Sequence, residues 1–294
     1  MSSFLGTGVA LVTPFDQNGN VDVQALEKLV EFQIDNAVEY LVVLGTTGES
    51  ATLSKEEKEL VKETVVKTNA GRLPIAIGIG GNSTASVIQE IKETDFTVFQ
   101  AVLSVSPFYN KPSQEGIYQH FKAVAEASPV DVILYNVPGR TGSNIKPETV
   151  VRLAEIPNII GIKEAKGDMD QALKLIKSVP KNFLVISGDD MLALPITLAG
   201  GSGVISVIGQ AFPSEFTHMI RLGILEESKK SFRMHYKLQE CIELIFSEGN
   251  PVGVKALLEI LGQSSSYVRL PLIEASPALK SKLRNFVEAF YVAS

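Results

Sequence analysis

The sequence predicts an α/β fold, a (β/α)8 TIM barrel with extra C-terminal helices. Three observations point there. Short apolar runs alternate with helix-like segments eight times, at intervals of roughly 20–35 residues. The first run closes on Thr13-Pro14-Phe15, where a doubly wound open sheet carries a glycine-rich turn. Past about residue 224 the pattern is helical with no further strand. A chain of 294 residues with 45% hydrophobic content is long and apolar enough for one large barrel. The expected division is a barrel over 1–224 and a helical extension over 225–294 packed on it, not a second domain.

Each element has its own signal. Gly8 to Pro14 is the first strand. Val21 to Asn36 is a helix, with Leu26, Leu29, Val30 and Ile34 on one face. Tyr40 to Gly45 is the second strand. Ser54-Lys-Glu-Glu57 is a capping box that opens a helix to about Asn69. Pro74 to Gly80 and Gln100 to Pro107 are the third and fourth strands, each followed by a helix, over 84–95 and 114–127. Asp131 to Pro138 is the fifth strand, and Pro147 suits the first turn of the helix after it. Ile159 to Ala165, Phe183 to Gly188 and Gly203 to Ile208 complete the eight. Helices follow from about Asp168, through Leu198 and after Pro213. Gly78-Ile-Gly80-Gly81 reads as a tight turn. Gly200-Gly-Ser-Gly203 reads as a short connection at the face opposite the strand ends.

Bulk composition excludes some functions. A net charge of −6 and a pI of about 5.3 argue against non-specific nucleic-acid binding, which needs a basic face. They do not argue against a small anionic substrate. The single cysteine, Cys241, permits no intramolecular disulfide and suits a reducing compartment. The start, Met1-Ser-Ser-Phe-Leu-Gly, lacks the charged and apolar regions of a signal peptide. No apolar run approaches the ~20 residues of a membrane span. The expectation is a soluble, cytoplasmic protein.

Chemistry in a (β/α)8 barrel sits where the strands end. The decisive stretch is Ile159-Ile160-Gly161-Ile162-Lys163-Glu164-Ala165. A lysine in so apolar a strand is either desolvated for use or snorkels to water. A desolvated lysine loses proton affinity, and its free amine can attack a carbonyl to form a Schiff base. Strand alternation turns Glu164 to the other face. Lys166 falls past the strand end and is a weaker candidate.

The other strand ends supply companions. Gly45-Thr46-Thr47-Gly48-Glu49-Ser50 brackets two hydroxyls with glycines and can gather N–H groups around a carboxylate or phosphate. Its plainer reading is a turn whose threonines bond locally. Pro107-Phe108-Tyr109-Asn110 and Tyr135-Asn136-Val137-Pro138-Gly139-Arg140 bring two tyrosines and an arginine. Such tyrosines are commonly packing, and Arg140 is either a carboxylate clamp or a surface ion-pair partner. Ser187-Gly188-Asp189-Asp190 ends the seventh strand. His120, His218 and His235 fall in helices, so a zinc site is a poor fit. A lysine, two tyrosines, two threonines and an arginine suit amine catalysis.

Taken together, Gly-Thr-Thr-Gly-Glu-Ser at 45–50, Pro-Phe-Tyr-Asn-Lys-Pro-Ser-Gln-Glu-Gly at 107–116, Tyr-Asn-Val-Pro-Gly-Arg-Thr-Gly at 135–142, Gly-Ile-Lys-Glu-Ala at 161–165 and Val-Arg-Leu-Pro-Leu at 268–272 resemble the dihydrodipicolinate synthase family. This is a branch of the class I, pyruvate-dependent aldolases and lyases. The resemblance spans essentially the whole chain. It implies condensation of pyruvate with aspartate semialdehyde in lysine and diaminopimelate biosynthesis, without metal or organic cofactor. It implies that Lys163 forms the imine and Tyr135 is the general acid/base. Thr46 then relays protons between Tyr135 and a Tyr109 donated by a neighbouring subunit. It further implies that Thr47 and the Ile205 backbone hold pyruvate, Arg140 holds the second substrate's carboxylate, and Gly188 leaves room at the pocket wall. It also implies a homotetramer built as a pair of dimers.

The resemblance extends to a regulatory site, where this chain departs from it. Feedback-sensitive members carry histidine at the positions of Lys55 and Lys58, glutamate at Ser86 and tyrosine at Phe108, and only Ser50, Ala51 and Asn82 match. The expectation is weak or absent inhibition by lysine, because its ammonium loses a carboxylate at 86 and meets extra positive charge at 55 and 58. The rival sister function is N-acetylneuraminate lyase, against which Arg140-Thr141-Gly142 suits a short acidic aldehyde. A non-catalytic keto-acid-binding barrel is the remaining alternative, and it would be expected to lose Lys163 or Tyr135.

Overall fold

The computed structural model describes residues 3–292. Met1 and Ser2, part of the stretch read as lacking a leader, lie outside the described residues, as do the last two residues of the extension.

Eight parallel strands close into a barrel in sequence order. They are β1 (Gly6–Ala10), β2 (Tyr40–Val43), β3 (Ile75–Gly78), β4 (Ala101–Val105), β5 (Asp131–Asn136), β6 (Ile159–Glu164), β7 (Leu184–Ser187) and β8 (Gly203–Ser206). Around them run α1 (Val23–Asp35), α2 (Lys55–Asn69), α3 (Thr84–Glu93), α4 (Gln114–Ala127), α5 (Pro138–Thr141), α6 (Pro147–Leu153), α7 (Met169–Ser178), α8 (Ala193–Leu198) and α9 (Pro213–Ile224). Three further helices follow: α10 (Ser228–Ser247), α11 (Val252–Ile260) and α12 (Pro277–Val292). No helix among the described residues is long and apolar enough to cross a membrane.

The helices start where their caps lie. Asp22, Ser113 and Asp168 each accept from a backbone N–H of the first turn of α1, α4 and α7. Ser54 and Glu57 complete a reciprocal capping box on α2. Each such cap contributes about 1 kcal/mol. The strands are shorter at their C-terminal ends than their apolar runs. The first starts at Gly6 and ends at Ala10, not Pro14. Beyond Leu11, whose N–H still reaches Val42 O, the chain bends to a bridge between Phe15 and Val21. Short helical turns that the apolar pattern does not announce occupy this rim, at Thr46–Gly48, Ser50–Thr52, Ile208–Gln210 and α5.

Two apolar layers result. Val42, Leu103, Ile133, Ile186 and Ile205 point into the barrel. Their sequence neighbours, such as Leu41, Val102, Leu134 and Val185, pack outward under the helices. β6 breaks this alternation once. Val132 pairs with Ile159, but Ile133 pairs with Gly161, so Ile160 is an extra residue. Ile160 packs against the inner layer while Ile159 and Ile162 pack in the outer one. The glycine is required at the bulge. A Cβ on Gly161 would stand 2.7 Å from the Leu184 carbonyl oxygen. From there Gly161, Ile133 and Leu184 share the inner face, and so do Lys163, Tyr135 and Ile186.

The histidines are not gathered. His120 in α4 bonds Thr84 Oγ1 (2.9 Å), and burial holds its imidazole down to about 4. His218 and His235 lie in α9 and α10. Cys241 is buried in α10, where burial pushes its thiol up.

Candidate active site

β5 and β6 set Tyr135 and Lys163 directly opposite each other in the ladder. Lys163 is 6% exposed, and its Nζ lies 4.5 Å from the centre of the Tyr135 ring. Among the described residues it forms no ion pair within 4.0 Å. Both side chains face a cavity of about 340 Å³ that Thr47, Arg140, Gly188, Asp189, Glu243 and Asn250 also line. Gly188 is needed for the lysine itself. A Cβ there would stand 2.9 Å from Lys163 Cε and 2.6 Å from Ala165 Cβ.

The residue behind each catalytic candidate faces outward. Asn136 follows Tyr135, Glu164 follows Lys163, and the two are again opposite each other. Asn136 Nδ2 donates to both Glu164 oxygens (3.0 and 2.9 Å), and Gln171 Nε2 and the Lys166 N–H donate to the same carboxylate. Burial pushes the Glu164 carboxyl above its usual range, against these hydrogen bonds. The expectation that Glu164 turns away from the amine therefore holds, and the network ties the two strands at the register that pairs Tyr135 with Lys163.

The threonines sit on the turn after β2. Thr47 is buried, and its Oγ1 accepts from Asn250 Nδ2 (3.0 Å). Thr13 Oγ1 donates to Gly48 O (2.7 Å) and pins the turn from below. Thr46 lines a neighbouring cavity of about 90 Å³ that it shares with Tyr135, Ser50, Lys58 and Glu90. Arg140, in α5, donates to Asn250 O (3.3 Å) at the mouth of the main cavity. On the β8 side, Val207 forms the cavity wall, and Ile205 is fully buried in the barrel interior. Asp190 holds that segment by accepting the N–H groups of Val207 and Ile208, and burial pushes its carboxyl up to about 6.

Tyr109 is not brought into this group. It is 83% exposed on the loop after β4, with φ +74, and Lys111 beside it has φ +49. Positive φ is costly for a tyrosine. Lys55, Lys58 and Ser86 line a separate cavity of about 540 Å³, while Ala51 and Asn82 are exposed nearby in the chain. One expectation is corrected there. The charges at 55 and 58 are not surplus, because Lys55 pairs with Glu93 (2.9 Å) and Lys58 approaches Glu90 (3.7 Å).

Asn250, Glu243, Ile242 and Phe246 reach the cavity from α10 and the loop after it. Nothing local in that helical stretch marks them, since their role follows from packing over the barrel mouth. Among the described residues no group of His, Cys, Asp and Glu is placed to hold a metal ion. A sequestered amine, a phenol beside it, two hydroxyls and a guanidinium are equipped for imine chemistry on a carboxylate-bearing carbonyl compound.

Known proteins share both sequence and fold. Residues 3–290 match the profile of the Dihydrodipicolinate synthetase family. The chain belongs to this family. It is 61% identical over 289 residues to a 4-hydroxy-tetrahydrodipicolinate synthase of Flavobacterium psychrophilum, covering 98% of this chain and 99% of the relative. The enzyme of the same name from Cytophaga hutchinsonii is 52% identical, covering 96% of this chain and 95% of the relative. The crystal structure of dihydrodipicolinate synthase from Aquifex aeolicus superposes with a TM-score of 0.94 at 40% identity, covering 98% of each chain. In this family member, Gly188→Ala should crowd Lys163 without unfolding the barrel. The expected loss is about 100-fold in kcat, with a native circular dichroism spectrum; an unchanged kcat would show that the lysine needs no such room.

Proposed function

We propose that the chain is a 4-hydroxy-tetrahydrodipicolinate synthase that condenses pyruvate with L-aspartate 4-semialdehyde. The observation that carries the reading is the Lys163 amine, buried beside Tyr135 in a cavity with Arg140 at its mouth. Lys163 attacks the keto carbon of pyruvate and loses water to form an imine. The imine accepts the electron pair left when a methyl proton departs, and an enamine forms. Tyr135 takes and returns protons, and Thr46 links it to the outside through the small cavity they share. The enamine carbon bonds to the aldehyde carbon, the imine re-forms, and the C=O π pair passes to the oxygen, which takes the proton that Tyr135 returns. The amine of the second substrate then attacks the imine carbon, closes the ring and releases Lys163. Thr47 and the Ile205 backbone hold pyruvate, and Arg140 holds the second carboxylate by its planar fork. The protonated imine is itself the electron sink, so the reaction as written needs no metal or organic cofactor.

The second reading, N-acetylneuraminate lyase, is disfavoured by Arg140, whose charge at the mouth suits a short acidic aldehyde. The purified protein should consume pyruvate with aspartate semialdehyde and not with N-acetylmannosamine. Lys163→Ala should lower that rate by at least about 10³-fold. Consumption with the sugar alone would sink the synthase reading.

The assembly in this reading is a homotetramer, a pair of dimers, working in the cytoplasm, with the barrel over 1–224 and the extension over 225–294 as its two parts. The exposed, left-handed Tyr109 supports donation across a subunit boundary. Sedimentation should then give a tetramer, and Tyr109→Phe should lower kcat; a fully active monomer would remove the trans role. Lysine should inhibit weakly or not at all. Its carboxylate partner at 86 is a serine, and Glu90 and Glu93 are engaged by Lys58 and Lys55. A clear loss of rate at sub-millimolar free lysine would overturn this.

A further inference from the structure

The second buried lysine, Lys255 in α11, is 0% exposed and does not line the cavity of Lys163. Its Nζ donates to Glu49 Oε1 (2.5 Å) and to Tyr267 O (2.8 Å), and lies 4.1 Å from the centre of the Phe15 ring. Burial pulls its ammonium down to about 8, against the opposing pull of Glu49. The other Glu49 oxygen accepts the Arg269 backbone N–H (3.0 Å). The Arg269 guanidinium reaches Gly19 O and Thr52 O and forks onto Glu57, the capping residue of α2.

We propose that Lys255, Glu49 and Arg269 form a latch through which the C-terminal segment sets the Thr46 and Thr47 hydroxyls at the catalytic cavity. The inference rests on the function proposed above. Glu49 is the joint. It ends the turn Thr46–Gly48 and starts the turn Ser50–Thr52, at φ +51. Its N–H bonds Thr46 O (3.1 Å). A left-handed glutamate persists only where its surroundings hold it, and here both carboxylate oxygens are held. The C-terminal segment reaches the same turn a second time, at Asn250 on Thr47. A buried ion pair is no better for stability than well-packed apolar groups. What it supplies is a directional tie two and three residues from hydroxyls whose displacement by an ångström costs about 100-fold in rate. Lys255 and Glu49 are therefore positioning residues.

The test uses the full chain with Lys255→Met, Glu49→Gln and the double substitution. Each should lower kcat for the condensation about 10- to 100-fold. At saturating pyruvate each should still form the borohydride-trappable pyruvate adduct at Lys163 to the wild-type extent, since β6 carries no part of the latch, while the pyruvate concentration needed should rise because Thr47 holds pyruvate. The double variant leaves no unpaired buried charge and should regain thermal stability lost by the single ones without regaining kcat. It also carries the test if a single variant does not fold. A double variant with wild-type kcat overturns the latch, as does adduct formation that falls in step with kcat even at saturating pyruvate. A wild-type chain that traps no pyruvate overturns the functional reading instead, and with it the role given to the latch.

Discussion

Lys163 carries its amine into the mouth of a closed barrel, and the surrounding structure makes room for it without handing it a carboxylate. Gly188 yields the volume of a Cβ on one side. Tyr135 offers a ring face on another. The next residue, Glu164, is directed through the sheet to the outer layer, where Asn136 and Gln171 satisfy it. Separating amine and carboxylate by the thickness of the sheet keeps both groups buried on terms each can meet.

The strand ends divide the remaining work. β2 supplies hydroxyls on a tight helical turn, β5 supplies the phenol and, through α5, the guanidinium, and β7 supplies the glycine. Parallel strands of a barrel all finish at one rim, so groups more than a hundred residues apart meet without any long loop. α10 and the segment after it then cover one side of the mouth and reach Thr47 through Asn250. The extension thus takes part in the site as well as in the fold.

Much of this is legible in the order of residues. Helix starts are written as caps, and α4 runs over the same Gln114–Ala127 that periodicity marks. Rim residues are legible because strand ends are. Tyr135, Arg140, Thr47 and Gly188 line one cavity with Lys163. Asn250 was invisible because a helix-terminal asparagine looks alike whether it faces solvent or a substrate cavity. The charges at Lys55 and Lys58 read as surplus because their partners, Glu93 and Glu90, come from a different helix.

The run at 159–164 separates the two kinds of information most clearly. By itself the sequence determines that this is a buried strand, that it carries one lysine, and that the lysine falls at its C-terminal end. It does not determine which way the lysine points. Ile159, Ile160, Gly161 and Ile162 are apolar on both faces, as strands covered on both sides are, so alternation has no polar residue to set its phase. The extra residue at Ile160 and the close approach of Gly161 to Leu184 set it instead. Those contacts exist only once β5, β6 and β7 lie side by side. Register between strands is a property of the closed sheet, and it is what turns a strand lysine into an amine inside the barrel.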